Sequence, residues 1–357
     1  MKIINYGLNS RAWFRDFERK FYKKVAPRLK PRYLNCFDVL GKSLSYFVFE
    51  HQDVKNLCLF DLDDGSGLQE DSCKIKYDFL KSLIKKENVN DYVIFKAQLN
   101  YHKPFYDFYK DINRTIPLGY FPENMKTLIK YKKKYIKNKK IPGERDIDIL
   151  WIGTILPTMG ENMIWPKNLN LKYWSYGKRL AGFKALQEIS KKRNDLNIIC
   201  TDKKVALKDY FKLIDRSKIC FDFPGVGEFT KRFVECIVLQ KCILSFKKIQ
   251  TLHFKLKENH HYLSILIDDD IDYSYSIFPN KQFKNSIMIR NLEITPKESL
   301  LNKMENKIDD CINNPDLISD IESHTKEIQE FITPDFLISY IIKEAMNYFF
   351  RNDSIKK

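Results

Sequence analysis

Residues 217–245 read SKICFDFPGVGEFTKRFVECIVLQKCILS, and this stretch decides the fold. The apolar run KICFDF predicts a buried strand, and KCILSF predicts a second one. Between them the turn PGVG (224–227) leads into a helical pattern that begins near Phe229 or Thr230. A strand followed by a helix and another strand is typical of α/β proteins.

The same alternation extends along the chain. Before residue 143 the predicted strands are KIINYG, NLCLFDL, YVIFKA and RTIPLGYF, with helices over 13–25 and 77–85. After it follow DIDILWIG, LNIICT, the two strands above and YLSILID, and the helical FLISYIIKEAMNYFF closes the pattern. We therefore predict two α/β domains, over 1–143 and 144–330, and a final helix over 331–357.

Composition favours an anionic partner. The 357 residues carry 62 Lys and Arg against 46 Asp and Glu, a net charge of +16, which suits nucleic acid, an acidic membrane surface or a phosphorylated molecule. No run approaches ~18 apolar residues, and the first residues lack the apolar core of a signal peptide. The eight cysteines form no CxxC pair and are interpreted as reduced thiols. The sequence thus predicts a cytoplasmic protein. An alternative is that it also attaches peripherally to the inner face of the cell membrane.

The helix after the glycine turn carries the first candidate site. Lys231 and Arg232 lie in its first turn, where the helix dipole disfavours cations unless an anionic ligand is bound. Glu235 follows Arg232 by one turn and lies on the same face, where a carboxylate can accept hydrogen bonds from ribose hydroxyls. The backbone amides of Gly225 and Gly227 would help to hold a phosphate. The competing interpretation is an ordinary surface pair between Arg232 and Glu235.

This segment resembles the donor-binding region of GT-B glycosyltransferases, and more narrowly of the exostosin-like and related bacterial enzymes of the family 1 type. The resemblance spans about residues 55–345, where FDLDDG, YVIFKAQL, TIPLGYF, DILWIGTI and TPDFLISYI occur in the order such proteins show. It implies two Rossmann-like domains that face each other across a cleft, with the last helix crossing back to the N-terminal domain. It further implies that Arg232 and Glu235 contact the diphosphate and the ribose of a nucleotide sugar, with Lys231 as an additional phosphate ligand.

The activity implied is transfer of a hexosyl or pentosyl group from a nucleotide-diphosphate sugar, with a UDP-sugar slightly favoured. The acceptor would be a hydroxyl of a glycan or lipid-linked molecule in surface polysaccharide (lipopolysaccharide) or glycoconjugate synthesis. No cofactor and no metal ion are required in this scheme. Retaining members often have two Glu with seven residues between them, whereas Glu228 and Glu235 have six, so the sequence leaves the stereochemical outcome open.

A second phosphate-facing element is expected where DILWIGTI ends at Gly153 and Thr154. Ligands bind outside the carboxyl ends of strands in open α/β sheets, and Arg179 in the following helix could reach the same place. The GxGxxG fingerprint of dinucleotide-binding proteins is absent, which argues against an NAD enzyme.

The acidic cluster LFDLDDG offers a general base on the acceptor side. We prefer Asp64 for this role, with Asp61 next; a solvated turn is the plain alternative. Asp61 and Asp63 also form a DxD pair, so a metal-dependent DxD glycosyltransferase remains an alternative. Lys96 and His102 are further acceptor-side candidates.

The pair His260–His261 precedes the strand YLSILID. Adjacent residues on an extended chain point to opposite sides, so at most one ring is expected to face a site. The sequence shows no third ligand close by, and we therefore predict no metal site.

The rival function is nucleic-acid binding, motivated by the net charge and by the segment Lys126–Lys140. That segment carries eight lysines and no acidic residue, but no nucleic-acid-binding motif accompanies it. It is interpreted equally well as a membrane-surface helix or as a solvated linker.

Overall fold

A computed structural model gives the fold. The structure describes residues 2–8, 32–33, 44–61, 70–97, 114–118, 125–136, 145–155, 164–166, 175–223, 230–246, 248–249, 253–268, 271–277, 286–288 and 292–351.

The chain is an α/β protein with one mixed and one parallel sheet, and it divides into two compact units. The first unit comprises Met1–Met125, Gln250–Lys255 and Ile328–Lys357, and the second comprises Lys126–Ile249 and Leu256–Glu327. The α/β class predicted from the sequence is confirmed.

The first unit contains a six-stranded mixed sheet in the order β2-β1-β3-β4-β5-β6. Its strands are β1 (Lys2–Leu8), β2 (Arg32–Tyr33), β3 (Leu44–His51), β4 (Val54–Asp61), β5 (Asp91–Ala97) and β6 (Thr115–Leu118). The last three run parallel, whereas β3 pairs antiparallel with both β1 and β4.

Helices cover both faces of this sheet because its strands alternate apolar side chains between the two faces. Helix α1 (Glu70–Glu87) places Leu80 and Leu83 against one face, in a cluster with side chains of β3, β4 and β5. On the other face, helix α8 (Pro334–Arg351) places Leu337, Ile338 and Ile341 against the phenylalanines of β3, β4 and β5. A short 3₁₀ helix, Glu330–Ile332, precedes α8.

The second unit contains a five-stranded parallel sheet in the order β12-β11-β10-β7-β9. Its strands are β7 (Ile147–Ile152), β9 (Ile198–Thr201), β10 (Ser217–Asp222), β11 (Cys242–Ser245) and β12 (Leu263–Ser264). Two antiparallel pairs accompany it: β8 (Ile164–Pro166) with β14 (Ser286–Met288), and β13 (Tyr273–Ile277) with β15 (Leu292–Pro296).

The helices of the second unit precede, connect or follow these strands. They are α2 (Met125–Tyr131, continued by a π-helical turn over Lys132–Ile136), α3 (Ser175–Lys192), α4 (Leu207–Arg216), α5 (Lys231–Leu239), α6 (Glu298–Ile312) and α7 (Pro315–Ile328). Strand β7 leads to β9 on one side, and the chain then returns to β10 on the other side of β7. The strand order therefore reverses between β7 and β10.

Aromatic side chains fill the core behind these strands. Trp151 packs on Phe183 and Phe223, with ring centroids 5.1 Å apart in both pairs, and Phe223 packs on Phe246 at 4.6 Å. Gly182 of α3 faces this cluster directly. A Cβ atom at Gly182 would lie 2.2 Å from Cε2 of Phe246 and 3.0 Å from two carbon atoms of Phe223.

Gly182→Ala is therefore expected to destabilise the second unit by about 1–3 kcal/mol, because a packed core accommodates an extra methyl group only by displacing its rings. This loss would appear although alanine favours a helix by up to ~1 kcal/mol over glycine. Urea titrations followed by tryptophan fluorescence measure it. The matched control is Gly177→Ala on the same helix, where the nearest atom is Tyr273 Oη at 3.3 Å. The control should change stability by less than ~1 kcal/mol; equal losses in both variants would contradict the packing argument.

The cysteines in the described part of the chain are free thiols. Five of them are buried, namely Cys58, Cys220, Cys236, Cys242 and Cys311, while Cys200 is half-buried. Burial raises the pKa of Cys58, which keeps this thiol protonated and unreactive. Among the described residues, no helix is long and apolar enough to cross a membrane.

Candidate functional site

The candidate site lies at the carboxyl ends of β7 and β10, where the strand order reverses. We call this place the β7/β10 edge and define it by Ile152, Gly153, Phe221 and Asp222. Helix α5 begins directly beside it: Thr230 is the N-cap, and its Oγ1 accepts a hydrogen bond from Phe233 N at 3.2 Å. The predicted helix start at Phe229 or Thr230 thus lies within two residues of the observed one.

Thr230 also fixes the start of α5 to the sheet. Its hydroxyl donates a short hydrogen bond to Oδ1 of Asp222, the last residue of β10, which is 1% exposed. The threonine hydroxyl therefore bridges the end of the strand and the first turn of the helix.

Arg232 extends from the first turn of α5 onto the β7/β10 edge. Its Nη1 donates to the carbonyl oxygen of Phe221 at 3.3 Å, and its Nη2 donates a short hydrogen bond to the carbonyl oxygen of Ile152. The guanidinium also lies over the Trp151 ring, 5.2 Å from its centroid, in a cation–π contact. One side chain thus joins the ends of two neighbouring strands.

Gly153 makes this approach possible. A Cβ atom there would lie 2.7 Å from Nη2 of Arg232, so any larger residue would require the end of that side chain to shift. Gly153, which the sequence predicts to face a phosphate, therefore leaves room for the guanidinium.

Glu235 is turned into the protein. It is 2% exposed, and its Oε2 accepts a hydrogen bond from the Tyr210 hydroxyl at 2.9 Å. Burial and the neighbouring Glu235 carboxylate raise the pKa of Tyr210, so the phenol keeps its proton and donates it to the carboxylate. The Arg232 guanidinium lies close enough to Tyr210 for the two groups to interact electrostatically. The competing interpretation of Arg232 and Glu235 as an ordinary surface pair is wrong in one respect, because Glu235 does not lie at the surface.

Three other predicted residues lie near the ends of these elements. Lys231 is exposed at the start of α5, and Thr154 is exposed after β7. Arg179 of α3 donates from Nη1 to the carbonyl oxygen of Thr154 at 2.9 Å. The structure therefore connects Arg179 with the backbone of Thr154, and the phosphate-binding roles of the two residues stay predictions. Gly225 and Gly227 lie outside the described residues.

In the first unit, Asp61 and Lys96 form a buried ion pair at the carboxyl ends of β4 and β5. The two residues are paired in register, Lys96 Nζ lies 3.6 Å from Asp61 Oδ1, and both side chains are 0% exposed. Asp61 thus already faces a cation, while the DxD alternative stays a prediction. The acceptor-side roles of Asp61 and Lys96 also stay predictions. Asp63, Asp64 and His102 lie outside the described residues.

The prediction that His260 and His261 point apart is wrong. Nε2 of His260 lies 3.2 Å from Glu327 Oε2, and Nε2 of His261 lies 3.6 Å from the same oxygen. The backbone here is a turn rather than an extended strand, with Asn259 at φ 59°, and this turn directs both rings to one side. The third group that the sequence did not show is Glu327, which lies 67 positions after His260.

Sequence reasoning missed two residues that lie beside Arg232 and Glu235. Tyr210 belongs to the amphipathic run ALKDYFKLIDRS, where nothing distinguishes it from a core aromatic. Trp151 is the second-last residue of β7, and its only signal is its place two residues before Gly153.

No protein-family model matches this chain, and a search of curated proteins finds no similar sequence. The fold and the site define an α/β protein with an arginine at the strand-order reversal of a parallel sheet.

Proposed function

We propose that this chain is a GT-B-type glycosyltransferase that transfers a sugar from a nucleotide-diphosphate sugar to a hydroxyl of a glycan or lipid-linked acceptor. In this proposal the second unit binds the donor, the first unit presents the acceptor, and the two Rossmann-like sheets face each other across a cleft. The nucleotide is most simply a uridine diphosphate.

The observation that carries the proposal is the position of Arg232. Ligands of open parallel sheets bind outside the carboxyl ends of strands at the point where the strand order reverses. In the second unit that point lies between β7 and β10, and the Arg232 guanidinium contacts the last carbonyl groups of both strands. It lies at the first turn of α5, where the helix dipole also favours an anion.

The charges around this edge suit a diphosphate. Arg232 has five N–H donors, of which the carbonyl groups of Phe221 and Ile152 use two, so a phosphate oxygen can accept from the others. Lys231 adds an exposed ammonium group at the same turn. These cations would stabilise the charge that develops on the leaving diphosphate, which is the main catalytic contribution we propose. This step requires no metal ion.

Glu235 and Tyr210 act in this proposal through Arg232 rather than on the ribose. The buried carboxylate accepts a hydrogen bond from the phenol, and the phenol lies within electrostatic range of the guanidinium. Such a chain fixes the orientation of the cation before the donor binds, which lowers the entropic cost of binding. On the acceptor side, Asp64 remains our proposed base.

The basic segment supports an anionic acceptor or membrane contact. Leu128 and Tyr131 are buried, and the Tyr131 ring lies 5.5 Å from that of Phe211 in α4. Lys130, Lys133 and Lys134 are exposed. The described part of this segment is therefore a packed helical turn that presents lysines, each of which contributes about 1 kcal/mol near an anionic lipid surface.

Nucleotide binding tests the proposal. In a thermal-shift screen with UDP, GDP, CDP and ADP, we expect at least one diphosphate to raise the melting temperature of the wild-type chain. Arg232→Ala should lower the affinity for that nucleotide about tenfold or more, because a charge-assisted contact contributes roughly 1.5–3 kcal/mol.

Two further variants separate binding from folding. Lys231→Ala removes an exposed charge without touching the strand ends, and we expect roughly a fivefold loss of affinity. Arg216→Ala, which removes an exposed arginine paired with Asp146, is the matched control and should leave nucleotide affinity unchanged. A chain that binds none of the four nucleotides, or variants at 231 and 232 that bind as well as the wild type, would refute the assignment.

A further inference from the structure

A second cluster of ligand-type side chains lies in the second unit, and none of its residues belongs to the β7/β10 edge. It joins the turn over residues 257–262 to the end of α7 (Pro315–Ile328). Two backbone hydrogen bonds close the turn: His261 N donates to Lys257 O, and Asn259 N donates to Tyr262 O, both at 2.8 Å. The turn therefore holds His260 and His261 in a fixed orientation toward the helix.

We propose that His260, His261 and Glu327 bind a divalent transition-metal ion, with Zn²⁺ the preferred species. One ring nitrogen of each histidine and a carboxylate oxygen of the glutamate lie within 4.8 Å of one another, and Nε2 is the nitrogen of each ring that faces Glu327. Two imidazoles and one carboxylate form a donor set that Zn²⁺ and its neighbours in the transition series accept readily.

The distances fit a tetrahedral ion. Bonds of about 2.0–2.1 Å at tetrahedral angles place two ligand atoms about 3.3–3.4 Å apart. The observed separations from Glu327 Oε2 are 3.2 Å to Nε2 of His260 and 3.6 Å to Nε2 of His261, one on either side of that value. Both separations from the glutamate therefore already suit an ion, and the separation between the two imidazole nitrogens, which is at most 4.8 Å, is the one that adjusts on binding.

The surroundings of the three side chains also suit a metal site. His261 is 3% exposed, and its Nε2 has no hydrogen-bond partner among the described residues, which leaves a buried nitrogen directed at the cluster. The ring of His324 stacks on that of His260, with centroids 3.7 Å apart and planes 25° apart, and so fixes the orientation of that ligand. The Glu327 side chain is 54% exposed, which gives an ion access and leaves a fourth position for water.

One contact opposes binding and must change. The backbone N–H of Lys257 donates to Nδ1 of His261 at 3.1 Å, so the proton of the neutral ring resides on Nε2. When the metal takes Nε2, the ring carries its proton on Nδ1 instead and the contact with Lys257 opens. Loss of one neutral hydrogen bond lowers the affinity by about fivefold, which a three-ligand site tolerates.

A bound ion would tie the turn to α7 and stabilise the second unit. At a free zinc concentration about 100 times Kd, the melting temperature of this unit should rise by about 5–10 °C.

Metal titration of the full-length chain tests the proposal. The chelator-treated and desalted protein is titrated with Co²⁺, whose visible absorption is strong in four-coordinate sites and weak in six-coordinate ones, and Zn²⁺ is then added as a competitor. We expect one ion per chain, the strong four-coordinate spectrum, its displacement by Zn²⁺, and a Kd for Zn²⁺ of about 1 μM or tighter.

Variants identify the ligands. Glu327→Gln and His260→Gln should each weaken Zn²⁺ binding at least about 100-fold and abolish the thermal shift. Asp320→Asn removes an exposed carboxylate elsewhere on α7 and should leave both unchanged. Glu327 is half-exposed, so its variant is expected to fold, and circular dichroism checks this. A six-coordinate spectrum, a Kd above ~100 μM, or equal Zn²⁺ affinity in Glu327→Gln and the wild type would overturn the site.

Discussion

Asp61→Ala is expected to destabilise the first unit by about 3–5 kcal/mol, because it removes the carboxylate that faces the buried ammonium group of Lys96. Both side chains are 0% exposed, so the ammonium group is shielded from bulk water in the folded state. The free energy of unfolding, from urea titrations followed by circular dichroism, measures the effect.

Two further variants identify its cause. Asp61→Ala combined with Lys96→Met removes both charges and should recover most of the lost stability, since an apolar replacement of a buried pair is often neutral or better. Asp91→Ala breaks the ion pair with Arg114 in the same sheet, where both side chains are about one-third exposed, and should cost less than ~1 kcal/mol. If the double variant is no more stable than Asp61→Ala, the buried charge is not the cause.

Acidification is expected to weaken the first unit through His253. Burial lowers the pKa of this ring from 6.5 to about 4, and its Nε2 donates to the carbonyl oxygen of Phe331 at 2.6 Å. The unfolded chain therefore binds a proton between about pH 6.5 and pH 4 that the folded chain does not. The stability contributed by the neutral ring is complete above pH 6.5 and falls as the pH decreases toward 4, by about 2–3 kcal/mol.

The variant His253→Gln isolates this contribution. The amide can still donate to Phe331 but does not titrate, so its stability should depend less on pH than that of the wild type. Unfolding free energies of both proteins, measured at about pH 7.5 and about pH 4.5, give the difference. Identical pH dependence in the two proteins would show that His253 does not titrate in this window.

Much of the fold is predictable because strands and helices follow local patterns of apolar residues. The runs NLCLFDL, YVIFKA, DIDILWIG, LNIICT and KICFDF coincide with β4, β5, β7, β9 and β10, all of which are confirmed. Strand β3 was missed because its turn into β4 lacks the usual glycine. Gln52 and Asp53 take the left-handed conformation there, at φ 50° and 61°, which ordinary turn signals do not predict.

The site was predictable only in its position along the chain. The glycine turn and the cations at 231 and 232 mark the start of α5, because helix starts have a local signature. The direction in which each side chain points was not predictable in the same way. Glu235 has the spacing of a surface partner for Arg232 but is buried against Tyr210, a residue of another helix.

The α/β class, the order of most elements and the place where a cationic helix start follows a parallel strand are all visible in the amino-acid sequence. Three features require the folded chain: Arg232 spans the ends of β7 and β10, Asp61 pairs with Lys96, and Glu327 lies beside two adjacent histidines. The reason is physical. Apolar periodicity is a property of neighbouring residues, whereas a buried polar group takes whatever partner the packing of distant segments brings within reach.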